Sequence, residues 1–139
     1  KYLYAPSHLN PTYEYGVSFE RGSYVDFGDR RTVYISGTAS INNLGEVVYP
    51  GDVKRQALRA IENVEVLLAE ADCTYDNVQQ MVVYLRDMSD YMAVKAIYEQ
   101  RFPEIPKVFV LAPVCRAAWL VEMECIASKS QSLDNYPVL

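Results

Sequence analysis

Trp119-Leu120-Val121-Glu122-Met123-Glu124-Cys125-Ile126-Ala127 is the stretch that decides the fold. Its β-branched and apolar residues read as a strand, and alternate side chains on a strand point to opposite faces. Val121, Met123, Cys125 and Ala127 make one wholly apolar face. Leu120, Glu122, Glu124 and Ile126 make a second that mixes apolar groups with two carboxylates. The first face belongs to a core. The second needs a different cover.

Working outward, Lys107 to Ala112 reads as a strand, and Pro113 to Ala118 as the turn between the two. Val78 to Arg86 is another strand; Met81-Val82-Val83-Tyr84-Leu85 at its centre is continuously apolar, which predicts burial on both faces. Between these lies a helix that starts at Ser89 or Asp90, carries Val94, Ile97, Tyr98 and Phe102 on one side, and ends before Pro103. Upstream, Asp52 is placed to cap a longer helix. Val53, Ala57, Ala60, Ile61, Val64, Leu67, Leu68 and Ala71 recur at spacings of three and four and form its apolar stripe. Val17 to Asp26 and Thr32 to Ser40 read as two strands around the turn Gly28-Asp29-Arg30-Arg31, and Glu46 to Tyr49 as a short one.

The order β-β-(β)-α-β-α-β-β is an α+β arrangement with two helices on one face of a mixed sheet. A half-apolar face left open by the helices meets another subunit. Residues 1–16, rich in Tyr and Pro, are an irregular amino-terminal arm. Residues 17–128 form the domain, and residues 129–139 a polar tail.

Composition narrows the function. The 139 residues carry 13 Lys+Arg against 18 Asp+Glu, a net charge of −5. No basic face is available to displace counterions from a phosphate backbone, so nucleic acid is not the expected partner. No apolar run approaches the roughly 20 residues of a membrane span, so no membrane partner is expected either. Cys73, Cys115 and Cys125 are odd in number and lack metal-ligand spacing. They read as free core thiols of a cytoplasmic protein, with no disulfide framework, metal or cofactor. His8 is the single histidine, which removes most imidazole chemistry. No signal peptide is visible, and the chain opens on Lys1, as expected of a processed or excised piece of a longer protein.

Glu122 and Glu124 share a strand face. They are either solvated strand residues or a carboxylate pair of which one handles water in a half-buried cleft. Lys107, Arg116 and Arg21 are surface charges or the cations that hold a carboxylate substrate, Arg being the better fork. Ser36-Gly37-Thr38 is a strand end needing a small residue, or a place where a hydroxyl and amides meet a substrate oxygen.

Several of these fragments occur together elsewhere. Ile35-Ser36-Gly37-Thr38, Ala60-Ile61-Glu62-Asn63-Val64, Asp76-Asn77-Val78, Val83-Tyr84-Leu85-Arg86-Asp87-Met88 and Leu120 to Ala127 resemble, in order and spacing, the Rid (YjgF-like) family, also called the endoribonuclease L-PSP family. The resemblance covers roughly residues 17–128. It implies a chorismate-mutase-like α+β fold and a homotrimer with a central barrel and clefts between subunits. It also implies cofactor-independent hydrolysis of reactive enamines and imines, carboxylate-bearing metabolites, to 2-keto acids and ammonia. Glu122 falls on the family's water-activating glutamate and Ser36 on its cleft serine. Lys107, in Ile105-Pro106-Lys107-Val108, falls where the family has its substrate-binding arginine, and a lysine cannot make the bidentate contact. Lys95 falls on a position that is asparagine in the best-known deaminases, and Ser18-Phe19-Glu20-Arg21 replaces a tyrosine-bearing stretch. Arg21 or Arg116 is then the cation that would supply the missing charge. The turn Ala112-Pro113-Val114-Cys115-Arg116 and the stretch Phe19-Glu20-Arg21 are similar to chorismatases, which leaves a chorismatase-related domain of a longer chain as a second reading. A non-catalytic trimeric small-molecule binder is the third.

Overall fold

The computed structural model describes residues 1–138. The elements are β1 (Gly22–Asp26), β2 (Arg30–Ala39), α1 (Val53–Glu70), β3 (Val78–Leu85), α2 (Tyr91–Arg101), β4 (Lys107–Leu111) and β5 (Val121–Ser130). Five strands form one sheet in the order β1-β2-β5-β3-β4. β3 and β4 are parallel, and every other pair is antiparallel. A parallel pair needs a crossover, and α2 supplies it. The fold is the expected mixed α+β sheet with its two helices.

α1 forms because Asp52 accepts a hydrogen bond from the Arg55 amide and the apolar stripe runs unbroken to Ala71. Ala57, Ala60, Ile61, Val64, Leu67 and Leu68 are buried against β2 and β5. From α2, Val94 and Tyr98 join them, and the Tyr98 hydroxyl donates to Met123 Sδ at 3.2 Å. Val121, Met123, Cys125 and Ala127 of β5 are fully buried on this side, as alternation predicts. Glu122, Glu124 and Ile126 on the other side are half-buried.

Several expectations are corrected. β1 starts at Gly22 rather than Val17. Its ladder with β2 begins at Gly22↔Ile35, and beyond Ile35 the partner strand carries a β-bulge before Thr38. That bulge, in the ladder with β5, bends the strand at this point, and Val17 to Glu20 lie outside the sheet. Glu46 to Tyr49 forms no strand, only the single bridge Ile41↔Val47. β5 runs from Val121 to Ser130 rather than Trp119 to Ala127, because Arg30 and Arg31 open β2 and pair with Ser130 and Lys129. β3 is not buried on both faces within one chain: Val82 and Tyr84 are half-buried on the open side, and Gln79 and Gln80 are exposed.

The amino-terminal arm lies along the outer edge of β1. Tyr2 bridges Ser23, and the Leu3 amide donates to the Gly22 carbonyl. Leu3, Ala5 and Leu9 are buried beneath it.

Candidate functional site

The bulge at Ser36-Gly37 opens the site. It lies in β2 beside Glu122 of β5, and a Cβ at Gly37 would stand 3.7 Å from Glu122 Oε2. That is an ordinary van der Waals contact, so a side chain here would rest directly against the carboxylate. A cavity of about 410 Å³ extends from Glu122. Glu122, Ser36 and Gly37 line it together with Arg21, the largely apolar Tyr15, Val17, Phe19, Ala39 and Ile41, and Cys115, Arg116 and Trp119. A pocket that is mostly apolar with a few converging polar groups suits a small metabolite.

Glu122 is held above the ordinary carboxylate range, first by burial and then by the Glu124 carboxylate on the same face; Arg86 pulls the other way. A carboxylate with a raised pKa is a stronger base than an ordinary one, which suits it to taking a proton from water. The Ser36 hydroxyl donates to the Glu20 carbonyl at 2.7 Å, which fixes its rotamer and leaves its lone pairs for a ligand donor.

The four residues Glu122, Ser36, Arg116 and Arg21 meet in this cavity. Arg116 is exposed, with its guanidinium 4.9 Å from the Tyr15 ring centre and 5.3 Å from that of Trp119. Arg21 is buried and donates to the Asn10 carbonyl and side chain and to the Tyr15 hydroxyl.

Lys107 does not join them within one chain. It lies opposite the buried Met81, two residues from Phe109, whose ring packs on Tyr91 and Tyr98 of α2. Lys107 therefore points to the helix face of the sheet, away from Glu122. Its Nζ donates to the Phe102 carbonyl at 2.6 Å and caps the end of α2.

Three positioning residues escaped the sequence reading. Arg86 donates to the carbonyls of Val114, Arg116 and Trp119 and gathers the turn that carries Arg116. Gln56, buried on α1, donates to the Tyr49 and Ala118 carbonyls and accepts from the Leu120 amide, fixing where β5 begins. Asn63 donates to the Ala39 and Ile41 carbonyls and secures the end of β2. The only signal was a polar residue inside an apolar helical stripe, which holds for Gln56 and Asn63.

The cysteines divide. Cys73 and Cys125 are buried, and burial pushes the Cys125 thiol up to about 12. Cys115 is exposed at the cavity wall, which corrects the expectation of three core thiols; the Pro113–Ala118 turn leaves the sheet and carries it to the surface. Among the described residues no cluster suited to a metal ion occurs, and no helix is long and apolar enough to cross a membrane.

Comparison with known proteins adds the following. The family model described as endoribonuclease L-PSP matches residues 19–129. A RutC family protein of Pyrococcus abyssi (strain GE5 / Orsay) is 35% identical over 128 residues, which is 90% of this chain and 91% of that one. A 2-iminobutanoate/2-iminopropanoate deaminase of Capra hircus is 36% identical over 72 residues, 52% of this chain and 53% of that one. The crystal structure of the YjgF gene product from E. coli superposes with a TM-score of 0.73 at 25% identity, covering 91% of this chain and 97% of that one.

Proposed function

This chain belongs to the endoribonuclease L-PSP family, and from that premise we propose that it hydrolyses reactive 2-imino acids to 2-keto acids and ammonia, with no cofactor. The observation that carries the reading is a half-buried Glu122, with a raised pKa, lining a cavity whose wall holds an unpaired guanidinium, Arg116. The deaminase name of the goat relative supports the reaction class.

In this mechanism Arg116 receives the substrate carboxylate, its guanidinium lying beside the rings of Tyr15 and Trp119. Ser36 accepts from the imine N–H. Glu122 orients a water and takes its proton as the oxygen adds to the imine carbon. That proton goes to nitrogen, giving a carbinolamine; Glu122 then takes the proton of the new hydroxyl and passes it to the amine, the C–N bond breaks, and ammonia leaves as the carbonyl forms. Lys107 has no part in this cavity and serves the end of α2. The working assembly is a homotrimer closed through the open sheet face, where Tyr34 and Val82 stand beside Ile126. Unpaired cysteines are consistent with action in the cytoplasm.

The test is keto acid release from imines generated in situ by an amino-acid oxidase. Glu122→Gln should lower kcat by about a hundredfold or more, the usual contribution of a general base. Arg116→Gln should raise KM about ten- to a hundredfold, the worth of one charge-assisted hydrogen bond. Lys107→Met should leave both within about twofold, since a residue outside the cavity is worth no transition-state contact. Activity that survives Glu122→Gln would overturn the reading.

A further inference from the structure

The cavity around Glu122 holds two guanidinium groups, and among the described residues neither has a carboxylate within ion-pair distance. Arg21 is the anomaly. It is only 6% exposed, and all of its acceptors are neutral: the Asn10 carbonyl at 3.2 and 3.0 Å, Asn10 Oδ1 at 3.1 Å and the Tyr15 hydroxyl at 3.1 Å. Its Nη1 donates to no group among the described residues. Taking a charge out of water without an opposite charge is costly, and such groups are normally paired. Arg116, the second cation, is exposed. Both stand beside one ring: their guanidinium carbons are 5.2 and 4.9 Å from the Tyr15 centroid. Against these two positive charges the cavity wall offers one carboxyl group, Glu122. Val17, Phe19 and Ile41 complete the wall with apolar surface, which lowers the local dielectric and strengthens any ion pair formed there.

Glu122 lies within ion-pair distance of neither guanidinium, so a monocarboxylate would pair with one and leave the other without an ion pair. We propose that the cavity takes a doubly anionic ligand: a 2-imino acid whose side chain ends in a second acidic group, with Arg116 on the α-carboxylate and Arg21 on the distal acid. The assignment rests on the imine-hydrolase reading of the same cavity and adds its substrate class. About 410 Å³ is ample for a four- or five-carbon diacid, since pockets from roughly 300 Å³ upward hold much larger ligands.

Two measurements test it on the whole protein. The first compares kcat/KM for imines generated from aspartate and glutamate with those from alanine and leucine. The second is calorimetric binding of two stable keto acids, 2-oxoglutarate and 2-oxobutanoate, to wild type, Arg21→Lys and Arg116→Gln. The diacid imines should be preferred by about tenfold or more, and 2-oxoglutarate should bind tighter by a similar factor, one charge-assisted contact being worth that much. Arg21→Lys keeps the charge but loses the fork, and should erode the preference for 2-oxoglutarate while binding of 2-oxobutanoate persists. Arg116→Gln, at an exposed position with little folding risk, should weaken both. If imines of alanine and leucine are hydrolysed as well as the diacid ones and both keto acids bind alike, the diacid assignment is overturned and the hydrolase reading stands. If no imine is hydrolysed the hydrolase reading fails, and calorimetry alone decides the ligand class.

Discussion

At the scale of single residues, Glu122 governs behaviour with pH. Its folded-state pKa is raised by burial and by Glu124. A base must be deprotonated to act, so kcat/KM should rise with pH along a limb centred above the usual value of about 4.3 for glutamate. Stability should run the other way. A raised carboxyl pKa means that the native state holds the proton more tightly than the unfolded chain, so this group's contribution is full below about 4.3 and is lost as pH rises through the folded value. Chemical denaturation of wild type against Glu122→Gln at several pH values checks it: the variant should gain on wild type as pH rises through that window. Glu122 was legible in the sequence because spacing by two on a strand fixes a shared face. Lys107 shows the limit of the same rule. Spacing located it at the start of β4, but only its parity with Phe109, and Phe109's packing on Tyr91 and Tyr98, shows which face it takes.

At the scale of elements, the site depends on the turn between β4 and β5, and that turn is held by side chains reaching carbonyl groups. Arg86 donates to three of them and Gln56 to one, and the Leu120 amide donates in turn to Gln56 Oε1. Every residue supplies a carbonyl, so such partners leave no trace in composition or spacing. This is why the helices and strands were readable while the turn's anchors were not. The bulge at Ser36-Gly37 was hidden for a related reason, since one extra residue in a strand changes no pattern except its register. Removing an anchor leaves its backbone partners unpaired; those that water reaches cost little, and one that it does not reach costs about 1–3 kcal/mol. Gln56→Leu should therefore lower stability by about 1–3 kcal/mol in urea unfolding. Arg86→Met should do likewise and raise KM as Arg116 loses its fixed position. Unchanged KM in a folded Arg86→Met protein would show that the turn is rigid without it.

At the scale of the molecule, the open sheet face explains why one chain looks unfinished. Tyr34 is 47% exposed and Val108 59%, on a sheet whose other face is a complete core. The sequence foretold this from the mixed face of Leu120, Glu122, Glu124 and Ile126. Sedimentation at micromolar concentration should give about three times the chain mass of 15.8 kDa. Ile126→Asp, placing a charge on that face, should shift the species toward the monomer, whereas a wild-type monomer would remove the trimer proposal.

The arm along β1 bears on a different hazard. A bare sheet edge is a template on which further chains can add, and repeated addition makes a fibre. Here one edge is already taken over Gly22–Tyr24 by the chain's own first residues, so only β4 is open to a newcomer. Two molecules that met through β4 would each turn a closed edge outward. Polymerisation through the backbone would thus end with its first step, and the molecule carries its own chain terminator.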